Sequence, residues 1–170
     1  MRLSSATERA NAGGSLQILT LGLGSEIFAV ETERVHEVLD LPSITRIPNC
    51  RPFIKGLIDV RGKVITVTDL HVKFGMVPTA PTADTRIVVI EVQIEGEPTL
   101  VGTLADRVYE VTELPIDSME DAPRIGMRWR PEFIRAIGKR NGDFIIVADI
   151  DQVFASEESA WHATHQDAAA

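Results

Sequence analysis

Cysteine is almost missing from this chain: among 170 residues only Cys50 carries a thiol. An intramolecular disulfide is therefore excluded, which fits a reducing compartment. Aromatic residues make up 5% of the sequence, so the core has to be built from Val, Ile and Leu. That bias towards β-branched side chains favours strands. Positive charge is scarce as well, with 17 Lys and Arg against 25 Asp and Glu and a net charge of −8. Such a chain has no broad basic field to neutralise phosphates, which argues against nucleic-acid binding. Arg124, Arg128 and Arg130 are local basic spots that suit a protein partner. There is no apolar run long enough to cross a bilayer, and residues 1–15 lack the apolar stretch of a signal peptide, so a soluble, cytoplasmic protein is expected.

Signatures of catalysis are also wanting. Gly22-Leu-Gly24 is followed by no third glycine, and no phosphate-cradling Gly-Lys-Ser/Thr loop exists. None of His36, His71, His162 and His165 stands in a nucleophile motif. His162-Ala-Thr-His165 offers two ligands where a stable metal site takes three or four. The carboxylates Glu110 and Glu113 read as solvated strand ends, and Asp117, Glu120 and Asp121 as a loop without calcium-binding spacing. Cys50, within Pro48-Asn-Cys-Arg-Pro52, reads as a loop or core residue. No catalytic residue, cofactor or metal is assigned, and a binding module is expected rather than an enzyme.

What the chain does have is a hairpin that occurs twice. Gly56–Leu70 reads as two strands joined at Arg61-Gly62, followed by a short helix Leu70–Phe74 capped by Asp69. Ala136–Ile150 repeats the pattern over Asn141-Gly142, with Asp149 capping a helix Ile150–Phe154. Gly62, Ile65, Val67, Asp69 and Phe74 recur as Gly142, Ile145, Val147, Asp149 and Phe154. Upstream, Val35-His-Glu-Val-Leu-Asp-Leu-Pro42 echoes Val108-Tyr-Glu-Val-Thr-Glu-Leu-Pro115, with five of eight positions identical. Two echoes in the same order predict a structural duplication. Further strands are expected at Leu16–Leu23, Glu26–Val30, Arg86–Ile94 and Thr99–Ala105, with a turn at Gly96-Glu97-Pro98.

Many short strands with few helices predict an all-β fold of two five-stranded barrels packed along an apolar seam, since closing a sheet removes its edges. Residues 1–14 are expected to be a disordered N-terminal segment, 15–155 the folded domain of two interleaved barrels, and 156–170 a C-terminal tail. Two other classes would carry their own marks. A small β-barrel enzyme calls for a deep pocket with convergent polar groups. A nucleic-acid-binding barrel calls for a basic stripe with exposed aromatics. Trp129, between Arg128 and Arg130, is the one local hint of the latter and reads as a loop anchor.

The stretch Ile44–Leu70, with Val35-His-Glu-Val38 before it and Leu100–Val111 after it, closely resembles the signature of the CheW family of chemotaxis coupling proteins. The resemblance runs from about Leu16 to Phe154. It implies two pseudo-symmetric SH3-like barrels and an adaptor without catalysis. Such proteins bridge the signalling tips of methyl-accepting chemoreceptors to the regulatory domain of the sensor histidine kinase CheA. They also join other CheW-like proteins in membrane-associated receptor arrays, without inserting into the membrane themselves. A pathway controlling pili or biofilm rather than swimming is the alternative output. By the same resemblance, Val35, Glu37, Gly56, Arg61 and Ile87 are the receptor-binding residues. Val35 and Ile87 would supply apolar contact to a helix in a groove, and Gly56 would permit a close backbone approach. Arg61 and Glu37 are predicted to form an ion pair that fixes the hairpin tip. Ile44 and Ile47 are the kinase-binding candidates, expected to be exposed. The family usually has Asn where Asp59 stands and Pro where Thr66 stands; Asp59 adds a charge beside the turn and Thr66 restores a backbone donor.

Overall fold

In the computed structural model, which describes residues 14–123 and 130–155, ten strands form two five-stranded sheets. The strands are β1 (Ser15–Leu23), β2 (Glu26–Glu31), β3 (Val35–Asp40), β4 (Ile54–Val60) and β5 (Lys63–Thr68) in the first half. The second half contributes β6 (Arg86–Ile94), β7 (Glu97–Ala105), β8 (Arg107–Pro115), β9 (Ile134–Arg140) and β10 (Asp143–Ala148). Helix α1 (Leu70–Lys73) follows β5, and helix α2 (150–155) follows β10. Arg124, Arg128, Trp129, His162, His165, the tail 156–170 and all but the last residue of the segment 1–14 lie outside the described residues.

The order in one sheet is β3-β6-β7-β5-β4 and in the other β8-β1-β2-β10-β9. Position for position these match if the second half repeats the first. Each half then lends its leading hairpin to the other half's sheet. β6-β7 sits between β3 and β5 of the first half, and β1-β2 between β8 and β10 of the second. Each lent hairpin docks by one antiparallel and one parallel pairing: β3 with β6 and β5 with β7, then β8 with β1 and β10 with β2.

The chain beyond β3 and β8 closes each sheet into a barrel. Thr45 exchanges backbone hydrogen bonds of 2.8 and 2.9 Å with Leu57 on β4, and Glu120 exchanges bonds of 2.7 and 2.9 Å with Ile137 on β9. Both closures satisfy edge groups that would otherwise be free to pair with another chain. The first barrel encloses Ile58, Ile65, Val67, Ile87 and Val89. The second encloses Leu16, Ile18, Ala29, Leu114, Ile145 and Val147.

A larger apolar cluster fills the seam between the barrels, from Leu19, Leu21, Leu23, Phe28 and Val30 on one side to Val88, Ile90, Val92 and Val101 on the other. β1 and β6 therefore bury both faces over Ile18–Leu23 and Ile87–Ile90, one face inside a barrel and one in the seam. Between Leu19 and Leu21 a bulge shifts β1 against β8, and the Thr20 hydroxyl fills the gap by bonding the Glu110 carbonyl at 3.1 Å and its N–H at 3.2 Å.

Three sequence expectations change. The turn between β6 and β7 falls on Glu95-Gly96, both at positive φ, and Glu97 and Pro98 belong to β7. Pro98 lies near the strand start, opposite Gln93, where a missing donor costs least. The echoed segments Val35–Asp40 and Arg107–Pro115 are full strands, so Glu110 and Glu113 are outward residues within β8 rather than at a strand end.

Candidate functional site

The two type I′ turns fix the hairpin tips. Arg61 and Gly62 have φ of 50° and 83°, and Asn141 and Gly142 have φ of 52° and 86°. The β4-β5 turn holds a non-glycine, non-asparagine residue at its first corner, a conformation that bulky side chains adopt reluctantly. Asp59 offsets this: its Oδ1 accepts the Gly62 N–H at 2.7 Å. A carboxylate oxygen thus braces the turn, as an asparagine carbonyl oxygen could.

From that tip the Arg61 guanidinium donates to Glu37 on β3. β3 and β4 are the two edges of the first sheet, so the pair laces the barrel's open side above the Thr45–Leu57 closure. Glu37 is mostly buried at 19% exposure while Arg61 is 74% exposed, so the carboxylate anchors and the arginine presents its outer face. An ion pair this exposed adds about 0–1 kcal/mol; its effect is to fix the shape of the tip.

Val35 is half-buried against the seam cluster, as is its repeat partner Val108. One turn of the pleat further on, Val38 and Val111 are exposed, with Tyr109 beside them. β3 and β8 thus offer matching apolar surface on either side of the seam. The sequence reading singled out Val35 and missed Val38, Val111 and Tyr109, although the shared V-x-E-V spacing carried the signal. Val64 and Phe144 are exposed at equivalent positions just past the two turns. Their outward parity follows from the inward Ile65, Val67, Ile145 and Val147.

Ile87 is fully buried on β6 inside the first barrel, so it shapes the barrel and presents no surface. Gly56 is buried as well, at φ 148°. A Cβ there would stand 2.1 Å from the Thr45 carbonyl oxygen and 2.9 Å from Ile44 Cγ2. The backbone that Gly56 admits is the chain's own closing segment. Ile44 and Ile47, expected to be exposed, are half-buried because that same segment is drawn in to close the barrel; Ile44 packs on the first barrel's core. Cys50 is half-buried, its Sγ donating to the Ile47 carbonyl at 3.1 Å.

A second set of polar side chains locks the barrels together where the chain crosses between them. Between β2 and β3, Arg34 donates through Nε to the Glu91 carbonyl at 2.9 Å and through both terminal nitrogens to Asp151 on α2. Between β7 and β8, Asp106 accepts from the Gly24 N–H at 2.6 Å and faces His71 Nε2 on α1 at 2.9 Å. His71 Nδ1 lies 2.7 Å from Asp69 Oδ1. With a carboxylate at each ring nitrogen, His71 is satisfied only as imidazolium. The hydrogen bond to Asp69 raises its pKa, aided by Asp106, against the opposing effect of burial. For Asp69, burial pushes upward but is outweighed by the His71 bond and charge and by Lys55, so its pKa falls below the ordinary value. For Asp106, burial is likewise outweighed by the Thr79 hydroxyl, the Gly24 N–H and His71.

Comparison with known proteins agrees with this geometry. A family model for the CheW-like domain matches residues 17–158. Chemotaxis protein CheW of Klebsiella aerogenes is 27% identical over 158 residues, covering 93% of each chain. Protein PilI of Pseudomonas aeruginosa is 25% identical over 125 residues, covering 73% of this chain and 67% of its own. The crystal structure of the scaffolding protein TtCheW from Thermoanaerobacter tengcongensis superposes with a TM-score of 0.74 at 32% identity, over 82% of this chain and 87% of that one. With the family model spanning both barrels and the strand order repeated in each, the chain belongs to the CheW-like domain family.

Proposed function

We propose that this protein is a non-catalytic adaptor that couples the cytoplasmic signalling tips of chemoreceptors to the regulatory domain of the histidine kinase CheA. The observation that carries the reading is the Arg61–Glu37 pair, which holds the β4-β5 tip against β3 beside the half-buried Val35. A helix of a receptor tip would lie along the apolar surface of β3 and β8, with Val35 and Val38 as contacts and Arg61 at its flank. Gly56 and Ile87 support that surface from inside the first barrel. Ile44 and Ile47 would serve the kinase contact through the shape of the closing segment. Partners of the same fold, including other CheW-like proteins, extend the array, and the protein acts in the cytoplasm at membrane-associated receptors. Among the described residues no helix is long and apolar enough to cross a membrane.

A pull-down with a chemoreceptor signalling tip and with the kinase regulatory domain tests this. Binding to both at tens of micromolar is expected, and absence of both overturns it. The similarity to PilI favours a second reading, in which the same scaffold serves a chemosensory pathway whose output is pili or biofilm. Binding preference across several receptor tips separates the two.

A further inference from the structure

The two clamps across the seam occupy equivalent places with opposite polarity. Strand pairing sets the equivalences: Val35 lies in register with Ile90, and Val108 with Leu21. The crossing into β3 therefore corresponds to the crossing into β8, Glu91 to Gly22 and Gln93 to Gly24. Each crossing donates to the matching carbonyl of a lent hairpin. Arg34 Nε bonds the Glu91 carbonyl, and the Asp106 N–H bonds the Gly22 carbonyl, both at 2.9 Å. On the β3 side the crossing supplies the cation, and Asp151 of α2 supplies the carboxylate that takes the Gln93 N–H at 3.2 Å. On the β8 side the crossing supplies the carboxylate, Asp106, which takes the Gly24 N–H at 2.6 Å. There α1 supplies the cation, and it is a histidine.

His71 Nδ1 faces Asp69 and Nε2 faces Asp106. Lys55 on β4 also faces this cluster, its Nζ 3.5 Å from Asp69 Oδ2. The imidazolium donates to both carboxylates. A neutral ring has one N–H left and turns a lone pair towards the other carboxylate. Asp69 is the partner that it keeps. The Asp69 side chain is 4% exposed, and its Oδ1 also accepts the His71 backbone N–H at 2.9 Å as the helix cap. Asp106 is 29% exposed and holds the Gly24 N–H and the Thr79 hydroxyl, so its charge has other donors and water to turn to. We propose that loss of this proton is a switch: His71 stays with Asp69, Asp106 leaves it, and the start of β8 moves off α1. Asp106 directly precedes β8. Val108, two residues on, packs on the seam, and Tyr109 and Val111 are exposed. The switch therefore acts on the apolar surface of β8. The crossing into β3 is held by Arg34 and Asp151 instead, so one side of the seam moves against the other. The hydrogen bond to Asp69, with Asp106, raises the His71 pKa above its ordinary 6.5. The clamp is therefore closed at and below that value and opens as pH rises through the folded pKa.

NMR of the isotope-labelled full chain over about pH 6 to 9 tests the switch. The His71 ring is expected to carry both protons at about pH 6 and to lose one with a midpoint above about 6.5. The Gly24, Asp106 and Arg107 amides should shift with that midpoint, and the Asp106 N–H should lose protection from hydrogen exchange. In Asp106→Asn the ring faces a neutral amide. Its midpoint should fall towards the ordinary value, and the Arg107 amide should no longer follow it. A midpoint at or below the ordinary value in the native chain, or none within the range, overturns the proposal. So do Gly24, Asp106 and Arg107 amides that stay flat through a raised midpoint, which leaves the clamp closed. A shift confined to Lys55 and Leu70 makes Asp69 the partner that leaves and overturns it as well.

Discussion

The two barrels share a strand order and differ in how each is held shut and joined to its neighbour. In the first, Gly56 lets the Thr45 carbonyl press against β4, and Arg61 ties the turn to the mostly buried Glu37. In the second, Ala136 stands where Gly56 would be, and Glu110 meets Arg140 at 3.5 Å, one residue before the turn, with Asn141 at the corner. The crossings differ in chemistry as well. One clamp is the guanidinium–carboxylate pair Arg34–Asp151; the other is His71 between Asp69 and Asp106, with its pKa raised by those carboxylates. Repetition of the backbone thus leaves the side chains free to make one barrel tip rigid and one clamp pH-dependent.

The comparison breaks most sharply at the closures. Gly56→Ala is expected to cost about 4 kcal/mol or more, because the new Cβ meets backbone that cannot step aside. Ala136→Gly, at the matching position, is expected to cost about 1 kcal/mol through backbone entropy alone. Denaturant unfolding of the two variants checks this, and equal losses would erase the distinction.

Next come the clamps. Removing one partner of the buried pair with His71→Leu is expected to cost about 3 kcal/mol near pH 6. The folded pKa of His71 is raised, so its contribution is complete below the unfolded value of about 6.5 and is lost as pH rises through the folded pKa. The pKa values of Asp69 and Asp106 are depressed, so their contribution is present above about 3.8 and is lost as pH falls through their folded pKa values. The stability advantage of the native protein over His71→Leu should therefore be greatest between those limits. Arg34→Ala should lower stability by removing both the pair with Asp151 and the bond to the Glu91 carbonyl. Thermal unfolding across pH reads both, and a flat His71 profile would remove the difference between the clamps.

The smallest expected effects on stability lie at the tips. Arg61→Ala should change stability by about 0–1 kcal/mol and weaken receptor binding. Arg140→Ala should shift stability by a similarly small amount and leave receptor binding intact. Val35→Ala should behave like Arg61→Ala in binding, with a somewhat larger loss of stability because its side chain packs on the seam. Titration of a receptor tip against the three folded variants decides whether the rigid tip is the functional one.

Much of this was legible beforehand. The hairpins over Arg61-Gly62 and Asn141-Gly142 were, because turn chemistry is local. So was the Arg61–Glu37 pair, because the resemblance placed both residues at one surface. β3 is legible as an echo of β8 but not as a separate strand, and β8 only as an echo and a strand end, since His36, Glu37, Tyr109 and Glu110 dilute the apolar alternation on which such assignments rest. The burial of Ile87, and the closing role of Ile44 and Gly56, depend on which strand the chain crosses next, and no local pattern encodes that. His71 stood out only as a lone histidine; its partner Asp106 lies 35 residues further on, across a crossing that only the assembled sheets reveal.

The reciprocal loan of hairpins has a consequence for how the protein is made. β1 and β2 are synthesised well before β8 and β10, the strands they pair with outside their own hairpin. Thr20 and Glu110, which bond each other across the β1 bulge, are 90 residues apart. At about 5–20 residues per second, the leading hairpin waits roughly 5–20 s for its sheet. Throughout that interval its outer edges are unpaired and open to pairing with other chains. Such long-range pairing also places the finished chain among slow folders, in the millisecond-to-second range.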